Sequence, residues 1–156
     1  MLLGRLQWLF PIAVAVHNGE EAVTLPAWAA QHAEQLPLHL PSAAAIRVAL
    51  LVLALAAFAV TYLSARRGKQ SMWANLLFGG IVAMLVNVFV PHVPATIWFH
   101  SYTPGVVTAV LINLPLMRWL AVRAVREQWV SWGKAVTYGL AVPITLSGLI
   151  VTFLRM

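Results

Sequence analysis

Residues 43–64 carry one charged group, Arg47, among alanine, leucine, valine and isoleucine. Four further runs, roughly 5–24, 72–92, 104–122 and 134–154, have the same character. At about 1.5 Å of helix per residue, about twenty residues cross a hydrocarbon layer about 30 Å thick. Inside that layer the backbone must satisfy its own hydrogen bonds, so each run folds as a helix. The expected fold is an all-α integral membrane bundle of about five transmembrane helices, forming a single domain over 1–156. Composition agrees: 62% of residues are hydrophobic and 9% charged, far too few charges for a water-exposed surface.

The basic residues that produce the net charge of +6 lie beside the apolar runs and form no aromatic-interleaved stripe. They point to lipid headgroups and exclude nucleic acid as a partner. With no cysteine in the chain, disulfides, thiolate metal sites and a cysteine nucleophile are ruled out.

The first run holds the anomaly, Val16-His17-Asn18-Gly19-Glu20-Glu21. Ionisable groups at membrane depth are costly and usually face a bundle interior, where they pair, bind ions or do chemistry. On a helix, His17 neighbours both Glu20 (i, i+3) and Glu21 (i, i+4), so all three can converge on one face. A cleaved signal peptide fits poorly, because the run carries this motif and lacks a small-x-small cleavage site before Glu20.

Arg66, Arg67 and Lys69 fall in one connecting segment and Arg118, Arg123, Arg126 and Lys134 in or beside another, whereas 25–42 and 93–103 have no lysine or arginine. By the positive-inside rule the N-terminus is cytoplasmic and the C-terminus outside, with only Arg155 dissenting. The motif then lies in the outer half of the bilayer. Asn87 and His92 approach the same level at the end of the third run, followed by His100 and Tyr102. A short interfacial helix near 27–35 is expected over the outer mouth, since Trp28, Leu36, Leu38 and Leu40 make this loop too apolar for a solvated linker. Pro11, Pro115 and Pro143 are expected to kink helices.

Imidazole with carboxylates suits zinc, manganese or non-haem iron. The expected ligands are His17, Glu20, Glu21, His92 and His100, with Glu20, Glu21, Tyr102 and Asn87 as acid/base or orienting groups. A metal-free acid/base pair is the other chemistry open to these residues. His32 and His39 are read as interfacial. Arg47 stands for either a snorkelling cation or one that meets the glutamates or an anionic substrate group.

His17-Asn18-Gly19-Glu20-Glu21, Asn87 with His92, and Tyr102-Thr103-Pro104-Gly105 resemble the three motifs of the HXXEE family of small multi-span membrane proteins. Between Asn87 and His92 there are four residues where the family pattern has three. The resemblance implies a polar active site without supplying a reaction. The resulting expectation is a multi-pass protein of the bacterial inner membrane. It would act as a metal-dependent hydrolase or oxidoreductase, using zinc or iron, on a lipid or other apolar substrate. Proton-coupled or cation transport, and a structural or accessory subunit, are the alternatives.

Overall fold

A computed structural model of the chain describes residues 3–36 and 41–154; His39 and Arg155 lie outside these. After a short helical turn, Leu3–Leu6, the main helices are α1 (Leu9–Gln31), α2 (Ala43–Arg67), α3 (Met72–Asn87), α4 (Val93–Phe99), α5 (Leu114–Arg126) and α6 (Trp132–Leu154). A kinked, π-like turn, Val88–His92, in which Val90 leaves helical geometry just before Pro91, joins α3 to α4. A helical turn, Val106–Thr108, and a second π-helical turn, Ala109–Asn113, lead into α5. All regular structure among the described residues is helical. Four of the resulting rods, Ala43–Arg67, Met72–Phe99, Val106–Arg126 and Trp132–Phe153, are long and apolar enough to cross a membrane. The fifth, α1, has the length but carries the polar motif.

The side-chain pattern of α2 is that of a membrane protein. Ala54, Ala57, Thr61 and Ser64, three or four positions apart, face inward, while Leu51, Val52, Leu55, Phe58 and Tyr62 are exposed. Small residues inside let helices approach closely, and large apolar ones outside meet lipid. Gly79 does the same for α3 and α6: a Cβ there would stand 2.5 Å from Val142 Cγ2 and 2.8 Å from the Tyr138 carbonyl oxygen.

The basic segments collect at one end of the bundle. There Gln70 N–H donates to the Trp129 carbonyl (2.8 Å) and Lys69 to the Glu127 carbonyl. The Glu127 carboxylate accepts from Leu3 N–H (3.1 Å) and from Arg123 (3.1 Å). These bonds, the Leu3 amide first, hold the Glu127 carboxyl below the usual carboxylate range. A carboxylate depressed by folding stabilises the protein above its unfolded value, near 4.5, and loses that contribution as pH falls through the lower folded value. The melting temperature of the wild type is therefore expected to fall more steeply below pH 4.5 than that of Glu127→Gln, in scans taken at matched ionic strength.

The boundaries differ from the sequence expectation where tertiary contacts intervene. No separate interfacial helix covers 27–35: α1 runs unbroken through Pro26 to Gln31, and residues 32–35 are turns. Trp28 explains this, because its ring stacks on His32 (4.6 Å) and meets Phe99 at the end of α4 edge-on (4.9 Å). His32, bonded to the Trp28 carbonyl (2.8 Å), closes the helix end. The third rod likewise continues past residue 92 to Phe99. Pro11 falls in the first turn of α1, where a missing N–H leaves no ladder bond unmade, whereas Pro115 lies inside the Val106–Arg126 rod, just after the turn Ala109–Asn113 departs from α-helical pairing. Pro143 lies inside α6, which continues past it to Leu154.

Candidate metal centre

At the end opposite the basic cluster, α1 is pinned to α2 by Asn18, whose amide donates to the Leu50 carbonyl (2.8 Å). That leaves the adjacent face of α1, bearing His17 and Glu21, turned toward the two π-helical turns. His17 and His92 are 1% and 4% exposed. Their rings meet edge to face at 4.9 Å, and the Glu21 Oε1 lies 3.9 Å from His17 Nε2 and 3.6 Å from His92 Nε2. His17, Glu21 and His92 can each offer one ligand atom, all within 4.8 Å of one another.

The π-helical turn is what brings His92 here. In an unbroken α-helix, positions i and i+5 point about 140° apart, so Asn87 and His92 would face different neighbours. Val90 leaves helical geometry (φ −151, ψ 107) and absorbs the additional residue. Asn87 Nδ2 then reaches both His92 Nε2 (2.9 Å) and His17 Nε2 (3.0 Å).

The outer nitrogen of the His17 ring is held by the Tyr102–Thr108 segment. His17 Nδ1 lies 2.8 Å from the Thr108 hydroxyl, and that hydroxyl donates to the Gly105 carbonyl (3.2 Å). A hydroxyl whose one proton is so used must accept from His17, which puts the imidazole proton on Nδ1 and leaves Nε2 to accept from Asn87 Nδ2 at the edge of the space beside Glu21. Fixing one ring nitrogen on the protein so that the other can bind a metal is the usual arrangement around metal-ligating histidines.

Gly105 makes this approach possible. Its φ is +83, and a Cβ at this position would stand 2.6 Å from His92 Cε1, 2.9 Å from His17 Cε1 and 3.1 Å from Glu21 Cγ. Backbone conformation and available space both require glycine.

Two expected ligands lie outside the three-residue group. Glu20, on the neighbouring face of α1, is engaged instead by Thr108 N–H (2.9 Å) and the Tyr102 hydroxyl (2.7 Å). His100 is exposed and caps α4 in a left-handed conformation (φ 48), because α4 ends one residue earlier and its ring has passed the site. Tyr102 sits at the rim, 43% exposed, with its hydroxyl also 3.3 Å from Thr24 Oγ1. Partial burial, reinforced by the Glu20 carboxylate, keeps its phenol above the ordinary pKa and therefore protonated as a donor near neutral pH. Arg47 is bonded through Nε to the Ala22 carbonyl (3.1 Å), one residue beyond Glu21.

Thr108 was not singled out from sequence. Its only signal is a polar residue three positions after a motif glycine, inside an otherwise apolar run. Asn113, fully buried with neither amide atom partnered among the described residues, was equally silent.

A family described as "Protein of unknown function with HXXEE motif" matches residues 8–120, a span that takes in every residue of the centre. The chain belongs to the HXXEE family. The family's naming motif thus divides its work here: His17 and Glu21 face the ligand cluster, while Glu20 braces Thr108 and Tyr102. A relative from Bacillus subtilis (strain 168), "Uncharacterized protein YrkK", is 28% identical over 144 residues, covering 90% of this chain and 88% of the relative. No solved structure matches. As a member of the HXXEE family, the protein is a helical membrane protein with a buried His/Glu cluster.

Proposed function

We propose that the protein is a metal-dependent membrane enzyme, with zinc or iron held by His17, Glu21 and His92, acting on a lipid or other apolar substrate. The observation that carries this reading is the convergence of two anchored imidazoles and one carboxylate within 4.8 Å. Two histidines and one carboxylate with open positions are the donor set of both hydrolytic zinc and non-haem iron(II) centres. Such an ion would activate water or oxygen beside the substrate. Within the chain, Asn87 orients the ligands from one side, and Thr108 and Gly105 from the other. Glu20 holds the Tyr102 phenol at the rim, where it can donate a proton to a leaving group or bound oxygen.

The same residues serve a transporter less well. On α1, α3 and α5 the buried residues between the two ends of the bundle are apolar: Val14 on α1, Leu77 and Ile81 on α3, Met117 and Leu120 on α5. Asn113 enters this layer from the site end, and the other buried polar residues outside the site region, Gln7, Thr61, Ser64 and Asn75, lie toward the basic end. An apolar layer several residues deep favours chemistry in place over a conduit. With the basic end cytoplasmic, by the positive-inside rule, the site opens toward the outer leaflet of the cell membrane. Arg47, bonded to the Ala22 carbonyl at the same end of the bundle, suits a substrate with an anionic group.

Elemental analysis of protein purified without a polyhistidine tag tests the reading. Close to one zinc or iron per chain is expected, falling to background in His17→Ala and His92→Ala. A folded wild type with no transition metal after exposure to zinc and iron(II) would eliminate it.

A further inference from the structure

Away from the metal centre, at the basic end, a cavity of about 340 Å³ opens between α3, α5 and α6, lined by Phe78, Ala121, Val122, Val125, Arg126 and Trp132. All six residues contribute carbon surface, Arg126 through the methylene stem that carries its guanidinium. Val122 is 43% and Trp132 73% exposed, so the crevice opens outward to the surroundings of the bundle. Water gains nothing from such walls. A hydrocarbon chain does.

Arg126 supplies the second half of the recognition. It lies in the last turn of α5 and is exposed. The acid beside it in sequence, Glu127, is already engaged by Arg123 and the Leu3 amide. The same end of the bundle carries Arg66, Arg67, Lys69, Arg123 and Lys134, and Lys69 and Lys134 are bonded to backbone carbonyls. Here an apolar slot has at its headgroup end a guanidinium with no acidic partner among the described residues, and an interfacial tryptophan for a wall. That is the layout of a site for a lipid phosphate and its attached chain.

We propose that this crevice binds an anionic phospholipid, one acyl chain lying against Phe78, Ala121, Val122 and Val125 and the phosphate on Arg126. The site is independent of the metal centre, which lies at the other end of the bundle, and regulates the stability of the α5–α6 junction.

The test is the melting temperature of the full-length protein in neutral detergent, titrated with phosphatidylglycerol or with phosphatidylcholine of the same acyl composition. Phosphatidylglycerol at about a hundredfold excess over its Kd is expected to raise the melting temperature by roughly 5 °C, and phosphatidylcholine by much less. Arg126→Gln should reduce the phosphatidylglycerol shift to the phosphatidylcholine level. Arg118→Gln, an exposed arginine on the same helix outside the crevice, should leave it intact. Val122→Trp, which fills the slot from its half-exposed side, should abolish the shift while circular dichroism confirms a folded helix bundle. Equal shifts with the two lipids, or an Arg126→Gln variant that responds like wild type, would overturn the proposal. So would a concentration-dependent dimer that Val122→Trp dissociates, which would assign the crevice to a second copy of the chain.

Discussion

Gly105→Ala is expected to take the centre apart. At φ +83 a Cβ costs roughly 1–2 kcal/mol from backbone sterics alone. Steric overlap costs more, because the new methyl would lie 2.6 Å and 2.9 Å from the two imidazoles and 3.1 Å from the Glu21 side chain. Neither imidazole can retreat freely, since His17 is bonded to Thr108 and Asn87, and His92 to Asn87. A total destabilisation of about 3–5 kcal/mol is expected, in the range reserved for strain and disrupted buried networks. Thermal unfolding in detergent measures it. The rods themselves, held together elsewhere by Ala57, Gly79 and their neighbours, should keep their helical signal well below the unfolding temperature, so metal retention should fail before helicity does. A Gly105→Ala variant as stable as wild type, with metal bound, would remove the Tyr102–Gly105 turn from any role in the site.

The second large effect separates two adjacent glutamates. Glu21→Gln is expected to abolish stoichiometric metal, because the substitution replaces the one anionic donor facing His17 and His92 with a neutral amide. Glu20→Gln should retain most of the metal. Its single amide oxygen can still accept from Thr108 N–H, while the NH2 that replaces the other oxygen cannot accept from Tyr102, so its cost falls on the positioning of Tyr102 and hence on turnover of whatever substrate is processed. Elemental analysis of the two variants side by side gives the answer. Equal loss in both would place Glu20 among the ligands, and retention in Glu21→Gln would break the proposed donor set.

From residues alone, Glu20 and Glu21 were indistinguishable, since both lie within one turn of His17 on a helix. The difference is a rotation of about 100° around α1, and what fixes that rotation is remote in sequence: Asn18 bonded to Leu50 on α2, and Thr108 N–H bonded to Glu20. His92 shows the opposite case. Its spacing from Asn87 departs from the family pattern, and an ideal helix would have separated the pair, yet the π-helical turn at Val90 restores their meeting. The run Val88-Phe89-Val90-Pro91-His92 does mark the break, since a residue before proline is pushed out of the α region, but the proline does not say which neighbour His92 then meets.

Hydropathy by itself determined that the chain is a bundle of membrane helices and roughly where each rod lies, because the cost of an unbonded backbone in lipid leaves helices as the only solution for runs of this length. The cost of burying charge in lipid also marked His17, Glu20, Glu21, Asn87 and His92 as a site. Only the tertiary structure decided which of these converge. It set His17, Glu21 and His92 together, turned Glu20 toward Tyr102, carried His100 past the site and brought in Thr108. Those outcomes depend on helix rotation, on one inserted residue in a π-turn and on the space left by Gly105. Pro91 and Gly105 mark where the backbone departs from a helix, but which side chains then meet is a matter of ångströms and angles that packing between distant segments imposes.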